Sequence, residues 1–89
     1  MPYEAVEHIE HRDRPGQPPE LRILTTAEVE DDAIAVARTA RDAFLSEGRL
    51  DYAWWIVRQP GETLARWIAD SSSTKEFVLD LRSGELVEY

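Results

Sequence analysis

From Leu50 to Val57 the chain reads Leu-Asp-Tyr-Ala-Trp-Trp-Ile-Val, and this stretch constrains the fold more than any other. Successive side chains of a strand point to opposite faces. Leu50, Tyr52, Trp54 and Ile56 therefore share one side, and Ala53, Trp55 and Val57 share the other. Both sets are apolar, the pattern of a strand covered on both sides. Pro60-Gly61 is expected to turn the Leu50–Gln59 strand back along Thr63–Asp70. On that return strand Leu64 and Ile68 oppose Ala65, Trp67 and Ala69.

The meander continues after the polar link Ser71–Thr74. Lys75–Leu81 reads as a third strand, Ser83-Gly84 as a tight turn, and Glu85–Tyr89 as a short last strand. Upstream the period is helical. Val29, Ala33, Val36, Ala37, Ala40, Ala43 and Phe44 recur at three- and four-residue steps and predict a helix over about 26–47. Arg38, Asp42 and Ser46 fall on its opposite side. Thr25 and Glu28 have the spacing of a capping box, Glu28, Glu30, Asp31 and Asp32 suit the positive end of the helix dipole, and Gly48 suits a left-handed C-cap. Leu21–Leu24 reads as a short strand, and Arg12–Glu20, with three prolines and a glycine, reads as loop. Tyr3–His11 fits a strand or a helical turn equally.

The expected fold is a single α+β domain over 1–89, with 1–20 an N-terminal segment and loop and 21–89 the core. One amphipathic helix packs on a four- to five-stranded, mainly antiparallel sheet, the helix followed by the β-meander. One helix covers one face of such a sheet. The other face needs a cover too: the N-terminal segment, a second copy of the chain, or a different partner.

Charge narrows the partners. Eighteen acidic residues against ten basic ones give a formal charge of −8, and eleven of the acids precede Gly48. Nucleic-acid and anionic-membrane affinity rest on cations displacing counterions, so direct binding to either is not expected. No cysteine is present, which removes disulfides, Cys-type zinc sites and thiol nucleophiles. No run approaches the roughly 18 apolar residues of a membrane span, and the acidic N-terminus is unlike a signal peptide, so a cytoplasmic location is expected.

Catalytic constellations are sparse. His8 and His11 lie among Glu4, Glu7, Glu10 and Asp13, and would share a face with Glu4 at metal-ligand spacing only if the segment were helical. Ser71–Thr74 lacks the setting of a nucleophile elbow, and the four glycines form no phosphate loop. No metal, cofactor or catalytic residue is assigned. The sequence points to a non-enzymatic interaction or accessory module that associates through an aromatic sheet face, as a homodimer or with a protein partner. Trp54, Trp55, Trp67, Tyr52, Arg58 and Arg66 are the candidate contact residues, because tryptophan anchors interfaces and arginine stacks on rings. One alternative is an acidic mimic that occupies a nucleic-acid-binding protein through Glu28, Glu30, Asp31 and Asp32. Another is a small-ligand protein or enzyme with a helix–sheet pocket near His8, His11, Arg58 and Arg66.

Overall fold

A computed structural model of the chain describes residues 2–12, 14, 16–62 and 64–89. Six strands and one helix follow in the order β1 (Tyr3–Glu10), β2 (Glu20–Ala27), α1 (Glu30–Glu47), β3 (Tyr52–Arg58), β4 (Trp67–Asp70), β5 (Glu76–Asp80) and β6 (Glu85–Glu88). They build one antiparallel sheet in the order β2-β1-β3-β4-β5-β6, with α1 packed on one face. This is an α+β fold in which a strand pair precedes the helix and a meander follows it.

The sixth strand is β1. Its Ala5, Glu7 and Ile9 turn toward the helix, and it lies between β2 and β3, pairing Ala5 with Val57 and Ile9 with Ala53. A bulge opposite Ala5 and Val6 makes Leu24 the extra residue of β2, because Thr25 pairs with Ala5 while Ile23 pairs with Val6.

The helix starts later than its sequence pattern indicates. Thr25, Thr26 and Ala27 belong to β2 and pair with Ala5, Glu4 and Tyr3. The local Thr25–Glu28 signal yields to a ladder that satisfies several backbone groups rather than one. Val29 takes the N-cap with extended backbone and no side-chain cap bond, and Glu30, Asp31 and Asp32 fill the first turn. Gly48 closes the helix as expected, in the left-handed region at φ 65°, and donates its N–H to the Leu45 carbonyl at 3.3 Å.

The helix is also rotated from its expected phase. Ala33, Ile34, Ala37, Arg41 and Phe44 are buried against the sheet, whereas Val29 and Val36 are exposed. Arg38, expected on the solvent side, reaches Glu76 on β5 together with Arg41. That carboxylate draws two arginines across the sheet and fixes the rotation. The β3–β4 connection is longer than a two-residue turn. The Glu62 N–H bonds the Gln59 carbonyl, the Arg66 N–H bonds the Val57 carbonyl, and β4 starts at Trp67. Thr63, expected to open that strand, lies outside the described residues, as do Asp13 and Pro15 of the proline-rich loop and Met1.

The core lies between α1 and the middle strands. Trp55, Trp67 and Val57 are its largest fully enclosed side chains. Ala5, Ala53 and Ala69 surround them on the sheet, and Ala33 and Ala37 face them from the helix. Small residues beside two indoles let a helix approach a sheet that carries such bulk. Phe44 meets the Trp55 ring edge-on at 5.5 Å.

Candidate functional site

Alternation divides the three tryptophans between two environments. Trp55 and Trp67 lie beneath the helix at 0% exposure. Each has its indole N–H bound by a carboxylate that is itself held by arginine. Trp55 Nε1 donates to Glu7 Oε1 at 2.9 Å, and Arg22 Nη2 donates to Glu7 Oε2 at 2.6 Å. Trp67 Nε1 donates to Glu76 Oε1 at 3.0 Å, where Arg38 Nη2 also donates at 2.6 Å, and Arg41 Nη1 donates to Oε2 at 3.0 Å. Arg38, the largest influence, and then Trp67 and Arg41 hold the Glu76 carboxyl down at about 2, against an opposing push from burial. Both indoles are thus satisfied within the chain and present no outer surface.

Trp54 stands on the opposite face of the sheet, and register assembles that face around it. Cross-strand partners share a face, so Val6 and His8 of β1, Tyr52, Trp54 and Ile56 of β3, Ile68 of β4, and Phe77 and Leu79 of β5 form one apolar band. Leu21 and Ile23 extend the band onto β2, and Leu86 onto β6. Among the described residues no helix or second sheet lies over it. Val6 is buried, the other side chains of the middle strands half-bury one another, and Leu21, Ile23 and Leu86 at the margins are exposed.

The centre of the band is ordered by ring packing. His8 stacks on Trp54 with centroids 3.7 Å apart and planes 28° from parallel, and Tyr52 packs against Trp54 at 5.6 Å. The His8 Nε2 atom is buried without a hydrogen-bond partner. Arg12, from the loop after β1, lies over the Tyr52 ring at 5.0 Å. Tyr52 Oη donates to Asp70 Oδ2 at 3.1 Å, and burial, then this bond, raises the Tyr52 pKa. A concavity of about 410 Å³ opens between Tyr52, Trp54, Ile68 and Phe77, with Asp70 and Lys75 at its rim.

The two candidate arginines are engaged within the chain. Arg58 Nε donates to Glu4 Oε1 at 2.9 Å across β1 and β3. Arg66 Nη2 donates to Glu62 Oε1 at 3.0 Å, and this bond raises the Arg66 pKa and lowers that of Glu62. Glu28, Glu30, Asp31 and Asp32 make no ion pair among the described residues and surround the helix start, where their charge compensates the positive end of the helix dipole.

The histidines do not form a metal site. His8 lies on the open face, whereas His11 follows the strand and packs near Glu20 and Asp51, at 3.4 and 3.6 Å. Among the described residues no three histidine, aspartate or glutamate side chains converge as metal ligands. Alternation in the sequence placed Tyr52, Trp54 and Ile68 on one side of their strands but missed Val6, Phe77 and Leu79 as their neighbours, and it did not identify His8 as a ring partner of Trp54. Once β1 is a strand, its alternation supplies Val6 and His8. Among the described residues no helix is long and apolar enough to cross a membrane. Comparison of the chain with protein-family models, curated proteins and solved structures yields no match.

Proposed function

We propose that the protein is a non-catalytic accessory module of the cytoplasm that works as a homodimer, joined through its open aromatic sheet face. The observation that carries this reading is the apolar band across all six strands, with no cover from the chain's own helix. Five interstrand spacings of about 4.8 Å make the band about 24 Å wide. With strands of about five residues, its projected area is about 400 Å², at the size that marks interaction surfaces on small proteins. A ligand in the Tyr52–Phe77 concavity would leave the margins bare. A second sheet of equal width covers the whole band.

The apolar centre of the band supports a second copy as the occupant. The ions of this face lie at strand ends: Glu4 faces Arg58, Asp70 accepts from Tyr52 and Ser72, and Glu10 and Glu88 stand beside Tyr52 and Phe77. With these ions at the strand ends, the apolar centre can meet its own image, even in a chain of charge −8. Aligned sheets pack about 10 Å apart at about −30°, and His8, Trp54 and Phe77 would lie near the middle of such a sandwich.

Sedimentation equilibrium of the full chain tests this, with Ile56→Arg and Phe77→Lys each placing a charge in the band and urea melts reporting folding. The expected result is a dimer at tens of micromolar that either charge dissociates while the fold survives. A wild-type chain that stays monomeric throughout, or dimerisation unmoved by both folded variants, overturns the reading.

A further inference from the structure

The helix carries more apolar surface than the sheet covers. While Ala33, Ile34, Ala37 and Phe44 press on the strands, Val36, Ala40 and Ala43 run along the flank above β2. Beneath that flank lies a groove of two lobes. The lobe of about 440 Å³ opens between Leu24 and Val36, Ala40 and Ala43. The lobe of about 500 Å³ continues between Glu20, Arg22 and Glu47, and Ala40 and Ala43 line both.

The groove adjoins an unpaired strand edge. β2 is the outermost strand, and its outward amides and carbonyls have no strand partner among the described residues. Beyond the Leu24 bulge its regular part is Glu20–Ile23, beside the larger lobe. A groove alone admits many shapes. A groove beside a free edge selects an extended chain, whose backbone pairs with the edge while every second side chain enters the groove. Alanine at 40 and 43 leaves room for those side chains. The opposite edge, β6, is four residues long, two of them glutamate, and among the described residues no helix packs on it.

Charge at the groove selects the sequence of that chain. Arg22 is bound to Glu7, and Arg49 to Asp51 at 2.6 Å. Glu20 and Glu47 remain at the mouth of the larger lobe, their side chains 62% and 58% exposed. Among the described residues Glu47 meets Arg49 at 3.8 Å and Glu20 meets His11 at 3.4 Å. An antiparallel strand on β2 ends with its C-terminus beside Glu20.

We infer that the β2 edge and the groove under α1 form a docking site for an extended segment of a partner protein. The segment runs antiparallel to β2, carries apolar residues at alternate positions, and ends in lysine or arginine beside Glu20 and Glu47. This site meets the open sheet face only along Leu21 and Ile23 of β2, and the inference does not require the chain to dimerise.

The test titrates the full chain with capped octapeptides that alternate valine and threonine, followed by amide chemical shifts. One peptide ends in lysine, a second in glutamate, and a third is the lysine peptide N-methylated on the amides facing β2. The expected result is shifts confined to Glu20–Ile23 and the Val36–Ala43 flank, and binding of the lysine peptide at least tenfold tighter than the glutamate peptide. N-methylation, and the variant Ala43→Arg, which fills the groove from an exposed position, should each abolish those shifts. The inference is overturned by absence of shifts at millimolar peptide, by equal binding of all three peptides, or by pairing of β2 with a second copy's β2 in their place.

Discussion

Protonating Glu76 should unlock the β5 side of the helix, and the size of that effect follows from its bonds. The carboxylate accepts from Arg38, Arg41 and Trp67, and its side chain is only 13% exposed. Its pKa falls from the ordinary 4.5 to about 2. A depressed folded-state pKa contributes stability that is complete above the unfolded value and is lost as pH falls from about 4.5 toward about 2. At about 1.4 kcal/mol per pH unit the ceiling is about 3 kcal/mol, and partial contact with solvent through Arg38 lowers the expectation to about 2–3 kcal/mol. A domain of this size has roughly 4–13 kcal/mol in total, so the loss is large. Other carboxylates titrate in the same window, and relief of the −8 charge acts in the opposite sense. Glu76→Gln removes that ambiguity, since both proteins share every other carboxylate. Urea unfolding followed by tryptophan fluorescence should show the variant about 2–3 kcal/mol less stable at pH 7, with the difference shrinking toward zero by about pH 2–3, where Glu76 is itself being neutralised. A difference that stays constant across that range would refute the assignment of the shift to these bonds.

Two further perturbations separate the core from the margin. Phe44→Ala should cost about 3–5 kcal/mol in urea melts and alter Trp55 emission, because the ring is 5% exposed and meets that indole edge-on; a cost below about 1 kcal/mol would remove Phe44 from the core. Gly84→Val should cost about 1–2 kcal/mol through its φ of 73° alone, since no atom lies within 4 Å of an added Cβ; faster amide exchange should be confined to the β5–β6 hairpin, and a global loss would contradict this.

The fold class was legible because the sequence changes period at Gly48, from helical steps to alternation. The exact helix phase was not, because Arg38 and Arg41 are oriented by Glu76, a residue 35 or more positions away. Tyr3–Glu10 was ambiguous for the same reason. Glu7 looks like a solvent residue, yet it is 6% exposed, and the donors that make its burial tolerable come from Arg22 and Trp55. The Thr25–Glu28 pattern was a correct local signal overridden by pairing with β1. For the site, alternation separated Trp54 from Trp55, but the side the helix takes depends on the alanines of three strands together. Ala5, Ala53 and Ala69 share the face of Trp55 and Trp67, and only that face leaves space for a helix backbone to approach.

The two proposed surfaces have a common geometric origin. A helix is about 10 Å across, and this one lies on a sheet about 24 Å wide. On the covered face the shortfall toward β5 is closed by long side chains: Arg38 and Arg41 reach Glu76, and Arg38 lies over the Tyr89 ring at 5.3 Å. On the β2 side the helix presents Val36, Ala40 and Ala43, which are too short to bridge to the strand, and the groove remains. On the far face there is no helix among the described residues. The chain therefore binds the indole N–H of Trp55 and Trp67 internally, while Trp54 has only ring contacts among the described residues. Covering the far face requires a sheet, and filling the β2 groove requires a strand. The same chain can supply the first by pairing with its copy, whereas the acidic mouth of the groove calls for a basic end that β2, beginning at Glu20 and ending at Ala27, does not have.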